Sequence, residues 1–274
     1  MLISEYVNKN LQRYINQTKR CVREVIKGED PEAVHDTRVA IRRIRAVLRE
    51  VDNVYDKFYV KKLRTALKNI FNKFGPVRDM EVSNQILENL TISQPNKAEF
   101  NRWIKQRKKT EDELRQDVIN VIENKELDEP LKILAAIMAL PIKDSKDKTV
   151  EVFAFKKVNK IRSGVLKLGK SVLENFENPE PGHDLRILCK RLRYNIEFFK
   201  PVLPTSFPKI MRYAKKMQST LGDMHDRDVI IEMMDDNLEL SEGLKLEILN
   251  IVNAERADFA EKSKALTGKL PENI

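Results

Sequence analysis

The segment Val34–Arg45, VHDTRVAIRRIR, returns 148 residues later as Gly182–Arg193, GHDLRILCKRLR. The match runs residue by residue: His35 with His183, Asp36 with Asp184, Arg38 with Arg186, Arg42 with Lys190, Arg43 with Arg191, and Arg45 with Arg193. Lys61, Arg64 and Lys68 recur at the same spacing as Lys209, Arg212 and Lys216. FGPVRDMEV (74–82) matches LGDMHDRDV (221–229) at a spacing of 147, so one residue is lost in between. The breakers ahead of the two motifs, GEDPE and NPEPG, correspond as well. Self-similarity on this scale predicts two copies of one folding unit. The polar stretch KDSKDKT (Lys143–Thr149) places the boundary near residue 145, giving domains 1–145 and 146–274.

Each copy reads as helical. Only 8 glycines occur in 274 residues, aromatic residues make up 7%, and helix-forming Leu, Lys, Glu and Arg abound. KGEDPE (Lys27–Glu32) closes a first helix, with Asp30 placed to cap the next and Pro31 at its first position. FGPVRD (Phe74–Asp79) and its counterpart after Leu221 read as tight turns. ISQPNK (Ile92–Lys97) precedes a long polar helix reaching about Asn124, and KELDEP leads into a short apolar helix ending at Pro141. Each half should therefore hold about five helices. Joined by short turns, they pack as antiparallel neighbours in a bundle, and the fold class expected is all-α.

The repeated motif is amphipathic. With His35 at zero and ~100° per residue, Arg38, Arg42, Arg45 and Arg49 fall between about 280° and 340°. Ala40, Ile41, Ile44, Val47, Leu48 and Val51 lie on the core side. His183, Arg186, Lys190 and Arg193 repeat the stripe, with Glu197 standing where Arg49 stood. Lys57, Lys61, Arg64 and Lys68 form a second such face, echoed by Lys209, Arg212 and Lys216. Residues 31–79 carry 12 Lys and Arg against 6 Asp and Glu, and residues 182–228 carry 10 against 5, so the rest of the chain sums to −2 out of +9. An ordinary solvated helix face mixes signs, because oppositely charged i, i+4 pairs stabilise the helix. One-sign, Arg-rich stripes present in both copies point to an anionic partner: nucleic acid, an acidic membrane surface or a phosphate-rich molecule.

The two motifs, followed by GPVRD and GDMHD, resemble the signatures of the CHAD (conserved histidine α-helical domain) family, and the resemblance spans essentially the whole chain. It implies two helical bundles related by pseudo-twofold symmetry around a central basic groove. It also implies binding of inorganic polyphosphate without catalysis by the domain itself. That role would fall on His35, Arg38, Arg42, Arg43 and Arg45 and on His183, Arg186, Lys190, Arg191 and Arg193. Spacing extends the set to Arg49, Lys61, Arg64, Lys68, Lys209, Arg212 and Lys216. Two departures stand out: Lys190 keeps charge but loses the guanidinium fork, and His225 stands where the first copy has Arg78.

A phosphate-backbone RNA or DNA module is the alternative. Single-strand binders interleave aromatic with basic residues, and the two stripes contain no aromatic residue. Adjacent residues on a helix point ~100° apart, so the His-Asp pairs at 35–36, 183–184 and 225–226 do not make ligand sets. Asp36 and Asp184 are expected to accept hydrogen bonds near helix starts instead. No catalytic residue, metal site or cofactor is expected. Cys21 and Cys189 lie among apolar positions and read as buried free thiols. The N-terminal stretch lacks a signal-peptide core, and the longest uncharged run, Ile133–Ile142, is far short of the ~20 residues of a membrane helix. A cytoplasmic location without membrane contact follows, with association with polyphosphate granules as the further expectation.

Overall fold

A computed structural model describes residues 1–30, 32–51, 54–140, 149–174, 179–267 and 269. The boundary expected near residue 145, Pro31 and Pro141 fall outside these residues. Among the described residues ten α-helices run in order: α1 (Ile3–Lys27), α2 (Ala33–Glu50), α3 (Lys57–Lys73), α4 (Gly75–Glu88), α5 (Gln94–Glu123), α6 (Asp128–Ala139), α7 (Val150–Glu174), α8 (Pro179–Phe199), α9 (Phe207–Asp235) and α10 (Glu242–Thr267). Among the described residues the only β-pairing is an isolated antiparallel bridge between Leu2 and Thr149. The all-α expectation is met. The described helices divide into two compact units, Met1–Asp79 with Thr110–Phe155 and Met80–Lys109 with Lys156–Ile274.

The first unit is organised by α1, α2, α3 and α6, with contacts α1–α2, α2–α3, α3–α6 and α1–α6. The periodicity of α1 buries Val7, Leu11, Ile15, Cys21 and Val25 on one stripe. The helix ends at Gly28, whose φ of 71° is left-handed and whose N–H reaches the Glu24 and Val25 carbonyls. Ile41, Ile44 and Leu48 of α2 and Leu63 and Leu67 of α3 are fully buried. Removing such a side chain costs ~2–5 kcal/mol. Ahead of α2, the Asp30 carboxylate accepts from the Glu32 N–H at 2.9 Å, so the aspartate acts just outside the helix rather than as its immediate cap. Asp56 caps α3 by accepting from the Phe58 N–H.

In the second unit α8 packs on α9 and α9 on α10. Leu87, Phe100, Trp103, Ile230, Met234, Leu244, Ile248 and Val252 share one buried cluster, so the polar-looking α5 contributes an apolar face from its first half. Arg107 sits over the Trp103 ring and donates to Asn84 and Ser83, satisfying two buried polar side chains. Two carboxylates exchange places across α5 and α10. Ser93, just ahead of α5, donates its N–H and hydroxyl to Glu247, while Ser241, just ahead of α10, donates its own to Glu99. Both cysteines are buried free thiols, and burial pushes Cys189 up to about 12.

One expectation fails. The second glycine turn does not exist, because α9 runs unbroken from Phe207 to Asp235 through Gly222. Ala214, Met217, Leu221 and Met224 keep helical spacing across it. After Val150 the described chain therefore holds four α-helices and one short 3₁₀ turn, Lys200–Val202, rather than five helices. In the first copy α3 does stop, with Phe74 between it and α4. Pro76 there lies in the first turn of α4, where its missing N–H leaves no helical bond unmade.

Candidate functional site

The basic motif of the first unit forms one side of α2. Its core side fixes the register: Ala40, Ile41, Ile44, Val47 and Leu48 are buried, so Arg38, Arg42, Arg45 and Arg49 emerge together, each half-buried. The guanidinium groups of Arg38 and Arg45 both lie 4.5 Å from the centroid of Phe71 on α3. A shared aromatic ring holds two like charges close without neutralising either. Burial lowers the pKa of Arg45, and the positive charges of Arg49 and Arg64 lower it further. It stays charged, but in a field set by other cations. Arg49 donates to Glu50 at 3.0 Å, a carboxylate only 4% exposed.

On α3, Lys61 and Lys68 are exposed and Arg64 is half-buried, and among the described residues no carboxylate pairs with any of the three. Lysines and arginines elsewhere in this unit do find partners, as Lys73 does with Glu126 and Arg115 with Glu111. His35 is half-buried at the head of the stripe. Arg43 departs from it: its Nη1 contacts Gln17 Oε1 of α1 at 3.4 Å, on a different side of the helix.

The repeated motif on α8 opens into a cavity of about 610 Å³ bounded by α8, α9 and α10. His183 and Arg186 line it from α8, His225, Asp228 and Glu232 from α9, and Arg256 from α10. The His183 and His225 rings meet edge to face at 5.7 Å. Burial lowers the Arg186 pKa, with Asp226 opposing. Asp226 itself is raised by burial, against the pull of His225 and Arg186. Asp228 is bonded to Arg256. Further along α8, Arg193 pairs with Glu197 at 3.7 Å and lies over the Tyr194 ring. Lys190 and Arg191 are half-buried on the same helix. Lys209, Arg212 and Lys216 are exposed on α9, and among the described residues none has a carboxylate partner.

Comparison with known proteins decides the family. A model described as CHAD domain matches residues 9–235, most of the chain. The chain belongs to the CHAD domain family. Among solved structures it is similar to the CHAD domain from the plant Ricinus communis, at 20% identity and a TM-score of 0.76, covering 98% of this chain and 92% of that one. It is also similar to PptA from Streptomyces chartreusis, at 12% identity and a TM-score of 0.74, with 100% of both chains covered. At these identities the likeness is one of fold. A comparison with curated proteins finds no match.

Within this CHAD chain the structure brings Arg38, Arg45, Arg49 and Arg64 into one electrostatic neighbourhood, and His183 and Arg186 into one cavity. Phe71, Asp228 and Arg256 are residues that sequence reasoning left out, and His225 was noted there only as a departure from Arg78 and as one of the His-Asp pairs. Phe71 was readable: it follows Arg64 by seven, two helical turns along the same side of α3. Arg256 was not, because nothing in its own segment marks it. No group of three or more His, Cys, Asp or Glu side chains among the described residues could hold a metal ion. None of the helices searched, among the described residues, is long and apolar enough to cross a membrane.

Proposed function

We propose that this protein binds inorganic polyphosphate through its Arg-, Lys- and His-bearing helix faces, acting on the polymer by binding rather than by chemistry. The observation that carries the reading is the α2–α3 face. Arg45 is half-buried among Arg49 and Arg64, and nearby Lys61 and Lys68 lack carboxylate partners among the described residues. Like charges held together lose energy unless an anion lies against them. Polyphosphate is flexible, carries charge at every unit and presents no bases, which suits guanidinium forks and lysine point charges. Placement at polyphosphate granules is the cellular role this binding would serve.

Calorimetric titration with long-chain polyphosphate at two salt concentrations tests the reading. Affinity should fall steeply with salt as released counterions become less favourable. Arg45→Ala/Arg64→Ala should weaken binding by at least about tenfold, from the loss of two charge-assisted contacts. Unchanged affinity in that variant would remove the α2–α3 face as the site.

One observation favours nucleic acid as a second reading. Phe58 and Tyr59, at the start of α3, are 70% and 46% exposed, with Lys61 and Lys62 a turn further on. Exposed rings beside lysines suit base stacking. Preference for single-stranded RNA over polyphosphate at equal phosphate, lost in Phe58→Ala, would establish it.

A further inference from the structure

Among the charged residues lining the α8–α10 cavity, Arg186 and Arg256 carry positive charge and Asp228 and Glu232 carry negative charge. Two against two leaves no surplus to attract an anion. Whatever net charge the cavity holds must come from its histidines.

The first copy has Arg78, a permanent cation, at the position that corresponds to His225. His225 instead carries a side chain whose charge changes near neutral pH. Its surroundings are specific. From α8 it faces His183, whose ring is 5.7 Å away, and Arg186. From α9 come Asp226, Asp228 and Glu232, and from α10 Arg256. The Nε of Arg186 is buried and has no hydrogen-bond partner among the described residues, an unspent donor on an arginine that lines the cavity.

We propose that this cavity is a discrete site for phosphoryl units of the polymer and that it takes them up only together with a proton on His225. The proposal rests on the polyphosphate reading above. Without the proton, the lining is balanced and a phosphate chain gains nothing by entering. With it, the lining carries one surplus positive charge, and His225 adds a donor beside Arg186. Burial and the charge of Arg186 hold the imidazole pKa of His225 below its ordinary value, with Asp226 and Asp228 in partial opposition. A phosphate oxygen beside the ring reverses that balance and raises the pKa. The bound pKa then exceeds the free one, so affinity rises as pH falls through the interval between them and levels off outside it.

Internal phosphoryl units of a long chain are strongly acidic and keep their charge across this range, so pH-dependent binding of such a chain reports the protein. Asp226, whose pKa burial raises, also loses charge on acidification, and substitution at position 225 separates its effect. The test is titration of the full-length protein with long-chain polyphosphate at about pH 6 and about pH 8, either side of the ordinary imidazole range. The wild type should bind about tenfold more tightly at the lower pH, as one charge-assisted contact is gained. His225→Arg should bind at both values with nearly equal, high affinity, and His225→Gln should lose the low-pH gain. Circular dichroism checks that both variants fold. The imidazole of His225, followed by NMR, should show a higher pKa with saturating polymer than without.

An unmoved His225 titration, or a wild-type pH ratio retained in both variants, overturns the proposal. Equal wild-type binding at the two pH values sinks this site alone. Binding at neither value sinks the polyphosphate reading and this site with it.

Discussion

The α2–α3 face and the α8–α10 cavity begin from one sequence pattern and part company in what surrounds their arginines. The named charges that act on Arg45 are cations, Arg49 and Arg64. Arg186 feels Asp226, and its cavity is also lined by Asp228 and Glu232. At the far end of α2, Arg49 extends the stripe, while the matching position on α8 is Glu197, which pairs with Arg193. The charges set around Arg45 are therefore cations at every pH at which the protein is folded, whereas the charged residues lining the cavity are two of each sign. Counting basic residues in the two motifs misses this, because the difference lies in acids contributed by α9 and by the end of α8.

The backbone shows the same divergence, and the largest expected effect breaks it. Gly75-Pro76 separates α3 from α4, whereas Gly222-Asp223 lies inside the continuous α9. Asp223→Pro would copy the first sequence into the second. A proline there removes a mid-helix hydrogen bond and clashes with the preceding turn, so stability should drop by ~3 kcal/mol or more in denaturant unfolding. Pro76→Ala should change stability by less than about 1 kcal/mol, because the first turn of a helix needs no N–H there. Equal losses at the two positions would mean that α9 is hinged at Gly222 in solution.

A smaller effect sharpens the electrostatic side. Glu232→Gln leaves the cavity with a permanent surplus of one positive charge. Polyphosphate affinity at about pH 8 should rise several-fold and the dependence on pH should flatten, since the histidine proton is no longer the only surplus. No change at about pH 8 would show that Glu232, which is exposed, is screened from the cavity by solvent.

Much of this was legible because each helix needs only its own spacing to declare a buried stripe. The pattern Ala40, Ile41, Ile44, Val47, Leu48 determines where Arg38, Arg42, Arg45 and Arg49 emerge, and all nine positions behave accordingly. Arg43 illustrates the limit of motif matching: its angle already set it apart from the stripe, and it reaches across to Gln17. Glycine was over-read as a breaker at 222, where helical burial on both sides outweighs a propensity cost of ~1 kcal/mol; proline was the informative residue. The cavity was illegible for a different reason. It draws Asp228 and Glu232 from one helix and Arg256 from another, and their meeting depends on α9–α10 packing that local periodicity does not encode.

At one place the two matching stretches of sequence are also alike in structure. Ser93 and Ser241 are 148 residues apart, as are Glu99 and Glu247, and each glutamate accepts from the serine at the start of the other's helix. This reciprocity is what an internal duplication would leave behind, and we take it as support for that origin. Hydrogen bonds from Ser241 lower the pKa of Glu99, and bonds from Asn96 and Ser93 lower that of Glu247. A carboxylate with a depressed folded pKa adds stability that is complete above its unfolded value, near ~4.3, and is lost as pH falls through the folded value. Negative charge at a helix start is favourable for the same reason in both helices. Glu99→Gln and Glu247→Gln should each lower the melting temperature slightly at neutral pH, and that deficit should shrink towards zero in acid. The effect should be the smallest of those argued here, because both carboxylates are partly exposed. Matching pH profiles for the two variants would sustain the equivalence of the caps. A deficit that persists unchanged in acid would mean that the caps work through shape and neutral hydrogen bonding, with their charge contributing nothing.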